Sequence, residues 1–417
     1  MIRAARARRR AGARRQLPTG LLLAALALGL PAQAAAARPE PTVQGAAAIV
    51  VDAGSGEVLL AEDPDERRPI ASATKLMTAL LTLERAPPDA VLPAADYAAA
   101  PVESQIGLRA GERLSVADLL VALLLESAND AAVTLAEGVS GSQRAFVAAM
   151  NDRARELGLR DTSFANPIGL DDPANYSSAR DLATLARQLL RDERFRDIVD
   201  RPRATLTTGA RRRILENRNG LVLRHPFVDG VKTGHTLSAG YVLVGSATGR
   251  SKRIVSVVLG EPSVAAREAD TLALLRYGID QYRRVRVLRP EAVAGRATVK
   301  YRDGEEARLV AGAQVTVTVR RGERVSTRVE APAELEGPLP AGARVGSIAV
   351  VYRGRPLQTV PLVTAKAIPG AGLPRKIFSS LGAPLTAATL LAILIGAGLA
   401  LRRVGAPRRR RRPLVKP

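Results

Sequence analysis

Three short motifs hold the residues able to do chemistry: Ser72-Ala-Thr-Lys75, Ser127-Ala-Asn129 and Lys232-Thr-Gly234. A serine hydroxyl is a weak nucleophile and needs a base beside it. Three apart at a helix start, Ser72 and Lys75 share a face, so the lysine amine can be that base. Desolvation by Leu76, Met77 and the core, together with a second ammonium nearby, lowers a lysine's pKa toward the working range. The helix N-terminus adds backbone N–H groups that stabilise negative charge on a reacting oxygen. By itself Ser-x-x-Lys describes an ordinary capped surface helix. Here Arg67-Arg-Pro-Ile-Ala71 precedes it and supplies an apolar, non-helical lead-in suited to a buried helix start.

Ser127-Ala-Asn129 falls between two predicted helices, where a turn can aim both polar side chains into a cleft. Ser127 could relay a proton between Lys75 and the leaving group, and Asn129 could hydrogen-bond a substrate peptide. Alone, the tripeptide is a helix-breaking cap. Lys232-Thr-Gly234 lies in a predicted strand, which puts Lys232 and Gly234 on one side. Glycine there lets a substrate backbone approach and pair with the strand edge, while Lys232 offers positive charge for a carboxylate. A lone strand lysine would be a solvated edge residue; the company of the other motifs changes that reading. His225 and His235 build no defensible Ser-His-Asp triad, so the Ser-Lys variant is preferred.

The elements needed to position these motifs are legible from periodicity. Ala46–Val51, a Gly54-Ser-Gly56 turn and Glu57–Ala61 read as a β-hairpin. Ser72–Arg85 is an apolar helix stopped by Pro87-Pro88, and Ser115-Val-Ala-Asp118 is a capping box opening a helix over Val116–Glu126. Further helices are predicted over Asp130–Gly138, 143–157 and 178–191, the last two separated by a loop rich in Asn, Pro, Gly and Asp. Strands follow over Val228–His235, Ala239–Ala247 and Arg253–Leu259, then a helix over Ala265–Tyr282. This order predicts an α+β catalytic domain over 42–282, its helices packed on an antiparallel sheet. From Val285 short alternating strands such as Ala307–Val310, Val315–Val319 and Val345–Tyr352 predict a small all-β domain over 285–364, with 365–380 as a linker.

The chain has 417 residues and a net charge of +22, but that charge sits at the ends. Seven arginines lie in residues 1–37, and seven arginines with one lysine follow Leu401, leaving +7 between. Without an aromatic-interleaved basic patch, no nucleic acid partner is expected. There are no cysteines and only two histidines, which disfavours a zinc enzyme, and no metal or other cofactor is expected. Arg3–Arg15, the apolar Leu21–Leu30 and Ala32-Gln-Ala34 read as a signal peptide over 1–34 for the general secretory route, with Arg14-Arg15 a faint twin-arginine signal. Leu381–Leu401 is uncharged and is expected to form a C-terminal transmembrane helix. The arginines after it place a basic tail, 402–417, in the cytoplasm, with the catalytic domain on the periplasmic or extracytoplasmic side of the cytoplasmic membrane.

Over roughly residues 42–365 the sequence resembles the serine-type D-Ala-D-Ala carboxypeptidases, the low-molecular-mass penicillin-binding proteins of peptidase family S11. The resemblance rests on Ala71-Ser-Ala-Thr-Lys-Leu-Met-Thr78, Ser127-Ala-Asn-Asp-Ala-Ala132, Gly169-Leu-Asp171, Tyr176-Ser-Ser-Ala-Arg-Asp-Leu182 and Asp229-Gly-Val-Lys-Thr-Gly-His-Thr236. The His-Thr extension separates the family from typical β-lactamases, and no Glu-x-x-Leu-Asn segment supplies a lactamase's deacylating Glu. The resemblance implies a β-lactamase/transpeptidase-like fold, peptidoglycan stem peptides as substrate and β-lactam antibiotics as covalent inhibitors. It makes Ser72 the nucleophile and Lys75 the general base, with the backbone N–H groups of Ser72 and His235 as the oxyanion hole. Lys232 and Thr233, with Arg218 and Arg267, would orient the substrate carboxylate. The β-rich segment resembles the family's C-terminal domain. Ile168 departs from the His that many relatives carry there, which bears on deacylation. A non-catalytic wall-binding homologue is the alternative from another class; the intact motifs argue against it.

Overall fold

The computed structural model describes residues 39–404, which fall into two compact units: the chain up to Arg284 together with Thr318–Glu323, and Val285–Val317 together with the chain from Arg324. The expected signal peptide and nearly all of the basic tail lie outside the described residues.

The first unit is built on a five-stranded sheet. Its strands are β1 (Ala47–Asp52), β2 (Val58–Glu62), β3 (Val228–Thr236), β4 (Gly240–Gly249) and β5 (Lys252–Glu261), in spatial order β2-β1-β5-β4-β3. Every pairing is antiparallel, and β3 forms an open edge. Strand β1 is buried along its whole length, as a strand covered on both faces must be. On one face lies α6 (Val264–Asp280), capped by Ser263. The other face carries the helical insertion: α1 (Lys75–Arg85), α2 (Val116–Val121), α3 (Asn129–Ser140), α4 (Gln143–Glu156) and α5 (Ala179–Leu189).

Helix α1 is buried on every face from Lys75 to Leu83. Leu76, Met77, Ala79 and Leu81 are each inaccessible to solvent, the signature of a helix enclosed by its own domain. Anything polar at its start is therefore desolvated, which matters for Lys75. Its first turn, Ala71–Thr74, is a tighter 3-10 turn. Only half of the capping box expected at Ser115 forms: the Asp118 amide donates to Ser115 Oγ at 3.1 Å, but the Ser115 amide donates to Thr208 Oγ1 at 3.0 Å and not to the Asp118 carboxylate. The helix expected to continue to Glu126 does not: after Val121 it widens into a π-helical turn, Ala122–Glu126, and stops at Ser127 in the left-handed conformation.

Up to Thr364 the second unit is all-β, as expected. Its six-stranded sheet runs β8-β10-β11-β7-β6-β9, from β6 (Val293–Val299), β7 (Glu306–Ala311), β8 (Val325–Glu330), β9 (Glu334–Leu335), β10 (Arg344–Tyr352) and β11 (Arg355–Thr364).

The expected transmembrane helix over 381–401 is corrected. The chain forms a helix, α7 (Leu373–Val404), but no helix among the described residues is long and apolar enough to cross a membrane.

Candidate active site

Ser72 opens the site from the 3-10 turn ahead of α1. The preceding Ala71 holds φ at 45°, a strained value for a residue with a Cβ and the kind of strain that gathers at functional sites. Ser72 Oγ receives a hydrogen bond from Lys75 Nζ at 3.0 Å. Lys75 is wholly buried and also donates to Asn129 Oδ1 at 2.6 Å and to the carbonyl oxygen of Ile168. Burial strips water from the ammonium and lowers its pKa to about 7, against the opposing pull of Glu103 and Asp130.

The three partners have unequal abilities. Asn129 Oδ1 and the Ile168 carbonyl can only accept, so both need a proton from the amine. Once Lys75 is neutral, two N–H groups stay with those acceptors. Its lone pair then faces the one partner able to donate, the Ser72 hydroxyl. The geometry orients a base.

Ser127 ends the π-helical turn at φ 61°, with its hydroxyl buried and without a hydrogen-bond partner among the described residues. Asn129 begins α3, and its amide nitrogen donates to Glu103 Oε2 at 2.6 Å. Next to it, Asp130 accepts from the backbone amides of Ile106 and Leu108 and so ties α3 to the loop between 94 and 112.

Strand β3 closes the other wall. A Cβ on Gly234 would meet Ser72 N, Ile70 O and Ala71 Cβ, each at 3.1 Å, so glycine there permits the close approach of the edge strand and the turn that carries Ser72. Lys232 is buried instead of solvated, and its Nζ donates to the carbonyl of Thr233 at 2.9 Å. Its pKa lies well below the usual lysine value, first through burial and then through the charges of Lys75, Arg218 and Arg267. Those causes place both arginines within electrostatic reach of Lys232. Arg218 is half-exposed and pairs with Glu126 at 3.0 Å; Arg267 is buried, with Nε unpartnered among the described residues. Its guanidinium lies 5.8 Å from the centre of the Tyr241 ring, on which His235 stacks at 4.1 Å. Neither histidine is bonded to Ser72, so no triad forms among the described residues.

Sequence reading singled out the loop at Ile168 and Gly169-Leu-Asp171 but not its bond to Lys75. Asn166 Oδ1 accepts from the amides of Ile168, Gly169 and Leu170, and Thr78 Oγ1 donates to Pro167 O at 2.7 Å. Together they present the Ile168 carbonyl to the amine. Gly169, at φ 88°, sits so close that a Cβ would lie 2.1 Å from the carbonyl oxygen of Ala71. The loop is also tied to β3, because Thr236 Oγ1 donates to Asp171 Oδ1 at 2.6 Å. This joins the Gly169-Leu-Asp171 motif to the His-Thr extension, a link that neither string reveals alone. Glu103 was also missed; nothing in its neighbourhood in the chain marks it.

An antiparallel sheet with an open edge beside a buried Ser-Lys pair defines the class: a serine-type hydrolase of the penicillin-binding kind. The comparisons narrow it. Residues 33–263 match the family described as D-alanyl-D-alanine carboxypeptidase, and residues 282–369 match the penicillin-binding protein 5 C-terminal domain. D-alanyl-D-alanine carboxypeptidase DacF of Bacillus subtilis (strain 168) is 31% identical, over 78% of this chain and 86% of its own. DacA of Escherichia coli (strain K12), of the same description, is 34% identical over 79% and 85%. The crystal structure of penicillin binding protein 5 from Haemophilus influenzae aligns with a TM-score of 0.56 at 32% identity, covering 79% of this chain and 99% of that one. The chain belongs to the D-alanyl-D-alanine carboxypeptidases of peptidase family S11 and is a serine-type carboxypeptidase.

Proposed function

We propose that this enzyme removes the terminal D-Ala from peptidoglycan stem pentapeptides through an acyl-enzyme on Ser72, on the extracytoplasmic side where those peptides lie. The observation that carries the reading is the set of partners around Lys75, two obligate acceptors and one hydroxyl. Ser72 Oγ attacks the carbonyl of the penultimate D-Ala while its proton passes to Lys75. The backbone N–H groups of Ser72 and His235 receive the oxyanion. The C–N bond then breaks as Ser127, whose hydroxyl has no other partner among the described residues, relays the proton held by Lys75 to the departing amine, which leaves Ser127 protonated and Lys75 neutral again. Water attacks the ester and frees Ser72 and the tetrapeptide.

The substrate's terminal carboxylate lies by Thr233 among Lys232, Arg218 and Arg267. Burial and like charges depress the pKa of Lys232 when the site is empty, and an arriving carboxylate reverses that repulsion. β-Lactams enter the same path, since their strained amide acylates Ser72 while the leaving nitrogen stays tethered.

The full-length protein should release D-Ala from a Lys-D-Ala-D-Ala peptide and become labelled by a fluorescent penicillin. Ser72→Ala should do neither. D-Ala release at the parental rate by Ser72→Ala would overturn the reading.

A further inference from the structure

Glu103 belongs to none of the three motifs, yet it is one bond removed from the base. It lies in the loop between 94 and 112, half-buried, and its carboxylate gathers three donors: the Tyr97 hydroxyl, the Ala100 amide at 3.0 Å and Asn129 Nδ2 at 2.6 Å. The same Asn129 side chain accepts from Lys75 through Oδ1 at 2.6 Å. A carboxylate can only accept and an ammonium can only donate, so the amide between them fits in one orientation. Without Glu103 the amide could turn, presenting N–H to Lys75 and competing for its lone pair.

Charge adds a second effect. The groups facing Lys75 are Ser72 from its own turn, Asn129 and Asp130 from α3, the Ile168 carbonyl, Lys232 from β3, and Glu103. Two are acids, and Glu103 acts on Lys75 more strongly than Asp130. Burial works against a charged Glu103. Hydrogen bonds from Tyr97, Asn129 and Ala100, with the charge of Lys75, outweigh it and hold the carboxyl below its usual range. Tyr97, the outer member of the chain, is correspondingly kept protonated through burial and its bond to Glu103.

We propose that Glu103 is a positioning residue for the carboxypeptidase reaction: its carboxylate pins the Asn129 amide with Oδ1 toward Lys75, and its negative charge biases the proton shared between Ser72 and Lys75. This rests on the Ser72–Lys75 reading above. Glu103 touches no reacting atom and acts through Asn129 and through space.

The test reads the base directly. The chain has only seven lysines, so labelling the full-length protein with 13C at lysine Cε gives a sparse spectrum, with the Lys75 signal assigned by its loss in Lys75→Arg. In Glu103→Gln, which keeps the volume and an acceptor oxygen, the Lys75 titration midpoint should fall by roughly 0.5–1.5 units. Glu103→Ala should shift it in the same direction, and Glu103→Asp should move it back toward the parent. The acid limb of the penicillin acylation rate should move to lower pH by the same amount. A purely structural role would lower the rate at every pH and leave both midpoints in place; that result overturns the proposal. The Ser72–Lys75 reading fails separately, if the parental acid limb does not coincide with the Lys75 midpoint. The NMR shift still judges Glu103 in that case.

Discussion

At the scale of single residues, the chemistry depends on what Lys75 is allowed to bond. A fully buried amine with a pKa near 7 is a usable base at neutral pH, whereas a solvated lysine would stay protonated. As the proposed base, Lys75 works only after losing its proton, so acylation should rise with pH through about 7. Below that the rate should fall about tenfold per unit. Rates of labelled-penicillin acylation across that range would show it; a flat profile would contradict Lys75 as base. Lys75→Arg keeps the charge but accepts no proton and should lower acylation by roughly 10²–10⁴-fold. Ser72, Lys75, Ser127, Asn129 and Lys232 were all legible in the chain, because each belongs to a short string of neighbours. Glu103 and the Ile168 carbonyl were not. They meet the base across the fold, and a backbone oxygen leaves no mark in a sequence.

At the scale of elements, the site is a junction of α1, the end of the π-helical turn, the 166–170 loop and the edge strand β3. Periodicity reveals that helices exist, and their caps reveal where they start. It does not reveal that the helix from Val116 widens after Val121, since one extra residue per turn leaves an apolar stretch still apolar. That widening ends in the left-handed turn that carries Ser127. The loop is equally dependent on contacts. Gly169 combines φ 88° with a backbone neighbour where a Cβ would have no room. Gly169→Ala should therefore cost about 2–4 kcal/mol. It should also slow acylation, because the loop carries the Ile168 acceptor. Urea unfolding together with the acylation rate measures both; an unchanged midpoint would refute the packing argument.

At the scale of the whole molecule, pH acts on stability as well as on catalysis. Glu261, at the end of β5, is 1% exposed, and its oxygens accept no well-formed hydrogen bond among the described residues. Burial, then the charge of Asp270, raises its pKa from 4.5 to about 7. The folded state holds that proton more tightly than the unfolded chain, so the penalty is absent below about pH 4.5, grows as pH rises and is complete above about 7. Glu261→Gln should gain about 1–3 kcal/mol over the parent above neutrality. It should gain little near pH 4.5. Denaturation at the two pH values tests the sign, and an equal gain at both would exclude the mechanism. By itself the sequence determined the motifs and their order, the α+β domain followed by an all-β one, and the family they resemble. These are written in near neighbours and in local apolar periods. The uncharged run near the C-terminus also suggested a membrane span, but lack of charge is a weaker condition than the length and apolarity a span requires. Only the tertiary structure decided the state of the base. It buries Lys75 in a helix enclosed on all sides and brings it acceptors 54 and 93 positions away. It also turns Lys232 from an edge lysine into a buried one. Desolvation and lone-pair direction are properties of a closed packing, and no stretch of chain holds them alone.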